Sequence, residues 1–210
     1  MGNPTLVLAS ASPRRVELLQ QLGLPFEQIV SPAEEPSPQG SDPEAWALLC
    51  ARAKAQAVVR LLDDEEASTP AARTEGACLV IGADTVVCCG GQLLGKPEHD
   101  EDAARMLRLL SGRDHTVCTG LVVARGEAEY TACEITHVHM SPLSPIAIAA
   151  YVASGEPEGK AGGYAIQGLG GRFIERVEGC YYNVVGLPLA RLCALLESAG
   201  YDLDPSQETE

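Results

Sequence analysis

Basic residues are scarce in this sequence. It has 15 lysines and arginines against 29 aspartates and glutamates, which gives a formal net charge of −14. Proteins that bind DNA or RNA neutralise the phosphate backbone with basic patches, so this balance argues against a nucleic-acid-binding surface. A small anionic ligand would instead need a local basic pocket.

Long apolar runs are absent too. No segment approaches the roughly 20 apolar residues that a membrane helix needs. The N-terminus lacks the basic region and the long apolar stretch of a signal peptide. We therefore expect a cytoplasmic protein without a membrane partner.

Three common sequence motifs are also missing. None of the eight cysteines forms a C-x-x-C pair, and Cys88 and Cys89 are adjacent in an apolar run. This favours small core residues in a reducing compartment over disulfides or zinc ligands. Neither G-x-x-x-x-G-K-[ST] nor G-x-G-x-x-G after a strand occurs, so neither a Walker-type nor a Rossmann site is indicated.

What is present is an alternation of strand and helix patterns. Apolar runs predict strands over 5–9, 26–30, 77–89, 115–124, 130–141 and 172–177. Helical spacing predicts helices from Pro13 to Gly23, capped by Ser12, and over 43–62, 100–110, 144–153 and 188–199. This order is typical of an α/β fold, and we expect one domain over 1–203 with a disordered tail over 204–210.

Asp84 is unusual because it lies in the apolar segment "ACLVIGADTVVCC". An unpaired carboxylate is costly to bury, so Asp84 needs a cation, a metal or a hydrogen-bond partner, or a strand end that opens into a cleft. The alternative is an aspartate that only caps the next turn.

Few lysines occur, and each lies beside small residues. The chain has twelve arginines but only Lys54, Lys96 and Lys160. Arg14 and Arg15 fall in the first turn of a predicted helix, where free N–H groups already favour an anion. These cations suit phosphate groups, although simple surface charges remain the alternative.

The segment "GKAGGYAIQGLGG" has six glycines in thirteen residues. The glycines either make turns or bring the backbone close to a ligand, and Gln167 offers a donor and an acceptor to a base edge. His137 and His139 share one strand face, which favours exposed histidines over a metal site because no third ligand is near.

Together, separate segments resemble the Maf family of nucleoside triphosphate pyrophosphatases. They occur in the family's order from about residue 5 to 198: "LASASPRRVELL", "EE" at 34 and 35, "ARAKA", "IGADTVV", "LLGKP", "MLRLLSGRDHTVCTG", "YVASGEPEGKAGGYAIQGLGGRFIERVEG" and "YNVVGLP". The resemblance implies an α/β fold of the inosine-triphosphatase type, in which a central mixed sheet with flanking helices holds a cleft between two lobes.

The resemblance also implies a reaction and its residues. The expected enzyme hydrolyses a nucleoside triphosphate between the α and β phosphates with a divalent metal such as Mg²⁺ or Mn²⁺, and many members are homodimers. Asp84 would be the proton acceptor and, with Glu35, a metal ligand. The expected phosphate-binding residues are Ser10, Arg15, Lys54 and Lys96.

Substrate choice in the family follows three positions, which here are Arg14, Thr85 and Gln167. This set is similar to the branch that acts on dTTP and UTP, which suggests removal of non-standard nucleotides with a link to cell-division arrest. The alternatives are a pyrophosphatase for modified nucleotides of the 7-methyl-GTP type, and a non-enzymatic, nucleotide-binding regulator of septum formation.

Overall fold

The computed structural model describes residues 3–34, 42–63 and 78–203. Its strands are β1 (Thr5–Leu8), β2 (Phe26–Gln28), β3 (Cys78–Cys89), β4 (Gln92–Leu94), β5 (Asp114–Arg125), β6 (Ala128–Met140) and β7 (Ile174–Glu178). Its helices are α1 (Pro13–Gln21), α2 (Pro43–Asp63), α3 (Asp100–Leu110), α4 (Pro145–Val152), α5 (Tyr181–Val185) and α6 (Leu189–Ser198). Two 3₁₀ segments cover Ala161–Gly163 and Leu169–Phe173. The predicted metal ligand Glu35 and the predicted tail over 204–210 lie outside the described residues.

The long predicted elements are confirmed within a few residues at each end. Two short ones were not predicted, β4 with three residues and α5 with five. The prediction that the Ser12 side chain caps α1 is wrong. Ser12 occupies the N-cap position, but its side chain makes no capping hydrogen bond.

All seven strands form one mixed sheet in the order β2-β1-β3-β5-β6-β7, with β4 also paired to β3. β1 is parallel to β2 and β3, and the remaining pairs are antiparallel. The mixed sheet with flanking helices that the resemblance implies is therefore confirmed.

The centre of β3 lies open on one side. β1 pairs with β3 only as far as Ile81, and β4 pairs with it from Val87 onward. Among the strands that the structure describes, residues 82–86 have a neighbour only on the β5 side. Asp84 and Thr85 lie in this gap, directly beyond the end of β1, where the chain turns into α1.

Helix α2 packs unusually close to the sheet over this gap. A Cβ on Gly82 would clash with the carbonyl oxygen of Ala51 and lie 2.8 Å from the Ala55 Cβ. A Cβ on Gly120 of β5 would lie 2.6 Å from the backbone nitrogen of Leu48. Glycine on the sheet and alanine on the helix therefore let α2 approach, and this brings Lys54 over β3.

The core is divided into apolar clusters on different parts of the sheet. One cluster joins β1 to α1 and α6, and another joins the far end of β3 to α3, α4 and the 3₁₀ segments. Three of the eight cysteines, Cys50, Cys89 and Cys118, are buried, and the other five are partly exposed. Over the described ranges, no helix combines the length and the apolar character needed to cross a membrane.

Candidate active site

One cleft of about 870 Å³ opens at the gap in β3. This volume falls in the range of small-molecule sites, roughly 300–1,000 Å³. All predicted site residues inside the described ranges line it: Ser10, Arg14, Arg15, Lys54, Asp84, Thr85, Lys96 and Gln167. The chain therefore brings together residues that are up to 157 positions apart in the sequence.

Asp84 is the buried carboxylate of this cleft. It is only 5% exposed, and its Oδ1 forms an ion pair with Nζ of Lys54, whose side chain is 14% exposed. The cation that a buried aspartate needs thus comes from α2, which the close packing on Gly82 brings within reach. The alternative, a strand-end aspartate that only caps a turn, is wrong because Asp84 lies inside β3.

Arg15 is held in place by three acceptors. Its Nε donates to the carbonyl oxygen of Gly186 at 2.8 Å, and its Nη2 donates to Oγ1 of Thr85 at 3.0 Å. Its Nη1 donates to Oγ of Ser10 at 3.4 Å. The guanidinium, on a residue that is 8% exposed, therefore has a fixed orientation before any ligand binds.

The hydroxyl of Thr85 belongs to a chain of hydrogen bonds behind Arg15. It lies 2.9 Å from Oγ1 of Thr119, which in turn donates to the carbonyl oxygen of Asn183 at 3.3 Å. Thr85 thus accepts from Arg15 and donates to Thr119, so its one proton is used inside the protein. Thr119 and Asn183 are fully buried, and the sequence patterns pointed to neither.

Arg14 occupies a different environment from Arg15. Burial lowers the pKa of Arg14, an effect that the nearby Tyr151 and Glu156 oppose. Lys160 lies close to Arg14, and its pKa is also lowered, by burial first and by the Arg14 charge second. Lys160 lines the same cleft, although the family resemblance assigned it no role.

Tyr164 lines the cleft, and the buried His115 contacts it. His115 Nε2 lies 2.7 Å from Oη of Tyr164, which lines the cleft. Burial lowers the pKa of His115 to about 4, so its imidazole is neutral at pH 7. The other three histidines lie elsewhere: His99 caps the N-terminus of α3, His137 is exposed, and His139 contacts Asp114 and Glu175.

The contacts divide the cleft into two parts. In the first, Asp84 pairs with Lys54, and Arg15 is fixed by Ser10 and Thr85. In the second are Arg14, Lys160, Glu156 and the turn that carries Gln167. The first part combines cations with a carboxylate, which suits phosphates and proton transfer, and the second offers polar groups to the rest of a ligand.

The family match and the named relatives agree on one family. The family described as Maf-like protein matches residues 5–199. A dTTP/UTP pyrophosphatase of Pelotomaculum thermopropionicum is 48% identical over 94% of this chain and 98% of its own length. One from Caldicellulosiruptor bescii is 43% identical over 94% and 96% of the two chains. Among solved structures, the Staphylococcus aureus Ham1 protein is similar over 81% of this chain and 79% of its own, at 16% identity and a TM-score of 0.44.

Proposed function

The chain belongs to the Maf family, and from this premise we propose that it hydrolyses dTTP and UTP to the nucleoside monophosphate and pyrophosphate. The substrates come from the names of its relatives, which are 40% to 48% identical over nearly the whole chain. The observation that carries the proposal is the single cleft in which Asp84 stands among the cations of α1, α2 and the loops.

The phosphate groups would bind in the part of the cleft around Arg15. A nucleoside triphosphate brings about four negative charges, and phosphoryl transfer depends mainly on positioning and on neutralising that charge. Arg15, Lys54 and Lys96 supply the cations, with Ser10 beside them. Because the orientation of Arg15 is already fixed, little of its side-chain freedom remains to be lost on binding.

Asp84 would accept the proton of the attacking water. The water oxygen bonds to phosphorus, the bridging bond between the α and β phosphates breaks, and the proton passes to the carboxylate. Lys54 holds one carboxylate oxygen and is itself near the phosphates in this arrangement. The two side chains therefore act as a pair, in which Asp84 accepts the proton and Lys54 neutralises phosphate charge.

A divalent cation belongs to the proposal as well. Asp84 offers a carboxylate oxygen beside the expected phosphates, and Mg²⁺ is usually held by one or two carboxylates together with substrate phosphates. Among the described residues Asp84 suits this role, and Glu35, the second expected ligand, lies outside them. A bound ion would neutralise phosphate charge and lower the pKa of its water.

The base would bind in the second part of the cleft. Gln167 can pair with the O4 and N3–H groups of uracil or thymine, whereas cytosine presents the reversed pattern. Gln167 is exposed, so it discriminates strongly between bases to the extent that the bound base buries its amide. Arg14 is the expected neighbour of Gln167 in this selection. Thr85 would act by fixing Arg15 rather than by a free hydroxyl.

The test is a panel of nucleoside triphosphates, including 7-methyl-GTP, incubated with Mg²⁺ or Mn²⁺. We expect pyrophosphate, not orthophosphate, from dTTP and UTP. Asp84→Asn should reduce kcat by at least about 100-fold, since general-base catalysis contributes typically 10²–10⁴-fold. Asp114→Asn, an exposed aspartate away from the cleft, is the control.

Near wild-type turnover by Asp84→Asn would overturn its catalytic role, and preferred hydrolysis of 7-methyl-GTP would move the chain to the other branch. Nucleotide binding without turnover would favour the non-enzymatic regulator. The homodimer, the cytoplasmic location and the link to cell division stay predictions.

A further inference from the structure

The turn that carries Gln167 is tied to two side chains of the preceding segment. Glu156 follows α4, and its Oε2 accepts from the backbone N–H of Leu169 at 2.8 Å while its Oε1 accepts from that of Gly170 at 2.9 Å. Tyr151 of α4 donates from Oη to Oε1 of Glu156 at 2.8 Å and accepts from the N–H of Ala165 at 3.0 Å. These four hydrogen bonds attach both ends of the turn over 165–170.

We propose that Glu156 is a positioning residue for base selection, which fixes the turn so that Gln167 meets the base. The proposal rests on the proposed function. Tyr151 supports Glu156 and holds the other end of the same turn.

The glycines of the turn show how closely it fits these two groups. A Cβ on Gly168 would lie 2.6 Å from Oε2 of Glu156, and one on Gly170 would lie 2.7 Å from Oη of Tyr151. Of the two explanations for the glycine-rich segment, close backbone approach therefore applies here, but the approach is to Glu156 and Tyr151. Any side chain at these two glycines would push the turn away from Glu156 and Tyr151.

The surroundings of Glu156 stabilise its negative charge. Burial alone would raise the pKa of Glu156, but the hydrogen bonds from Gly170, Leu169 and Tyr151 outweigh it, and the pKa lies below the usual glutamate range. Glu156 also lies near the positive charges of Arg14 and Lys160. One carboxylate thus links the two side chains that are expected to select the base, Arg14 and Gln167.

The variant that tests this is Glu156→Gln. A glutamine keeps the shape but turns one acceptor into a donor, which then faces a backbone N–H or the Tyr151 hydroxyl. We expect KM for UTP to rise about tenfold with kcat changed less than about threefold, because a hydrogen bond to a charged group contributes about 1.5–3 kcal/mol. The preference for UTP over CTP should fall by a similar factor.

Inorganic tripolyphosphate separates positioning of the base from general damage to the cleft. It carries phosphates but no base, so its inhibition constant should stay within about twofold in Glu156→Gln. The matched control is Glu127→Gln, which removes the same charge from an exposed residue between β5 and β6, outside the set that lines the cleft. Its KM for UTP and its preference over CTP should match the wild type.

Tyr151→Phe keeps the inference testable should Glu156→Gln fail to fold, since phenylalanine keeps the ring and removes only Oη. It should change KM and the UTP preference in the same direction. Unchanged KM and preference in a folded variant would overturn the inference while the proposed function stands. The inference would also be overturned if the inhibition constant of tripolyphosphate rose as much as KM for UTP. A wild-type protein that does not hydrolyse UTP would overturn both the inference and the proposed function.

Discussion

At the scale of single residues, Arg14 and Arg15 show how adjacent side chains acquire different surroundings. Successive residues of a helix point about 100° apart, so the two guanidinium groups leave α1 in different directions. Arg15 donates to three acceptors, which lie in the loop after β1, in β3 and directly after α5. Burial lowers the pKa of Arg14, and the nearby Tyr151 and Glu156 oppose this effect. One arginine is therefore fixed toward the expected phosphates and the other faces the expected base.

Thr85→Val tests the fixing of Arg15. Valine has nearly the same shape but cannot accept from Nη2 of Arg15 or donate to Thr119. Loss of an acceptor for a charged group should lower kcat/KM for dTTP about 10- to 100-fold. Steady-state kinetics of pyrophosphate release measure this.

The control for Thr85→Val is Thr116→Val, because the hydroxyl of Thr116 donates to the carbonyl oxygen of Cys88 at 3.5 Å and the residue lies outside the set that lines the cleft. Its kcat/KM should stay within about twofold of the wild type. Equal losses in the two variants would mean that replacing a strand threonine, and not releasing Arg15, causes the effect.

The sequence identified the charged residues of the cleft but not the residues that hold them. Lys54, Lys96 and Asp84 stand out because their charges are unusual in small or apolar surroundings. Thr119 and Glu156 carry no such signal, because their roles depend on distant partners. Thr119 bonds to a residue 34 positions away, and Glu156 bonds to residues 13 and 14 positions away. Only the folded backbone places those partners together.

At the scale of elements, the packing of α2 on β3 and β5 decides where Lys54 lies. Long strands and helices could be predicted because their periodicity extends over many residues. β4 and α5 could not, since three and five residues carry too little periodicity and their conformation depends on neighbouring elements. The close approach of α2 was also invisible, because a glycine in a strand pattern does not reveal which element packs on it.

Gly82→Ala tests the link from this packing to the site. The added methyl group would press on Ala51 and Ala55, one position after Lys54, and overpacking of this kind costs about 1–3 kcal/mol. We expect the free energy of unfolding in urea to fall by that amount. Turnover should fall as well under conditions where the variant is fully folded, because α2 shifts Lys54 away from Asp84.

Gly95→Ala is the control for Gly82→Ala, because a Cβ on Gly95 meets nothing within 4 Å. Its unfolding free energy should change by less than about 0.5 kcal/mol. A stable and fully active Gly82→Ala protein would show that α2 has room to move without affecting the ion pair.

At the scale of the whole molecule, an acidic chain carries a local group of cations. The formal net charge is −14, yet all three lysines and the arginine pair line one cleft. Fields concentrate in clefts with low-dielectric walls, so a local group of cations can attract an anion to a protein that repels it elsewhere. The acidic surface is thus compatible with an anionic substrate and works against binding of nucleic acids.

The stability of the whole fold should depend on pH through His115. The residue is 3% exposed, and burial lowers its pKa to about 4, whereas an unfolded histidine titrates near about 6.5. Between these values the unfolded chain binds a proton that the folded protein does not, so stability falls as pH decreases. Asp114 favours the charged form and His139 opposes it, but burial is the larger effect.

The expected loss between pH 7 and pH 5 is about 2 kcal/mol in the free energy of unfolding. This window lies above the range in which Glu129 and Glu156 titrate, since the pKa of each is below the usual glutamate value. Urea denaturation at several pH values measures the slope. His115→Gln, which can still bond to Tyr164 but cannot titrate, should remove most of it, whereas His137→Gln on the exposed face of β6 should keep it. A slope that survives in His115→Gln would assign the acid sensitivity to other groups.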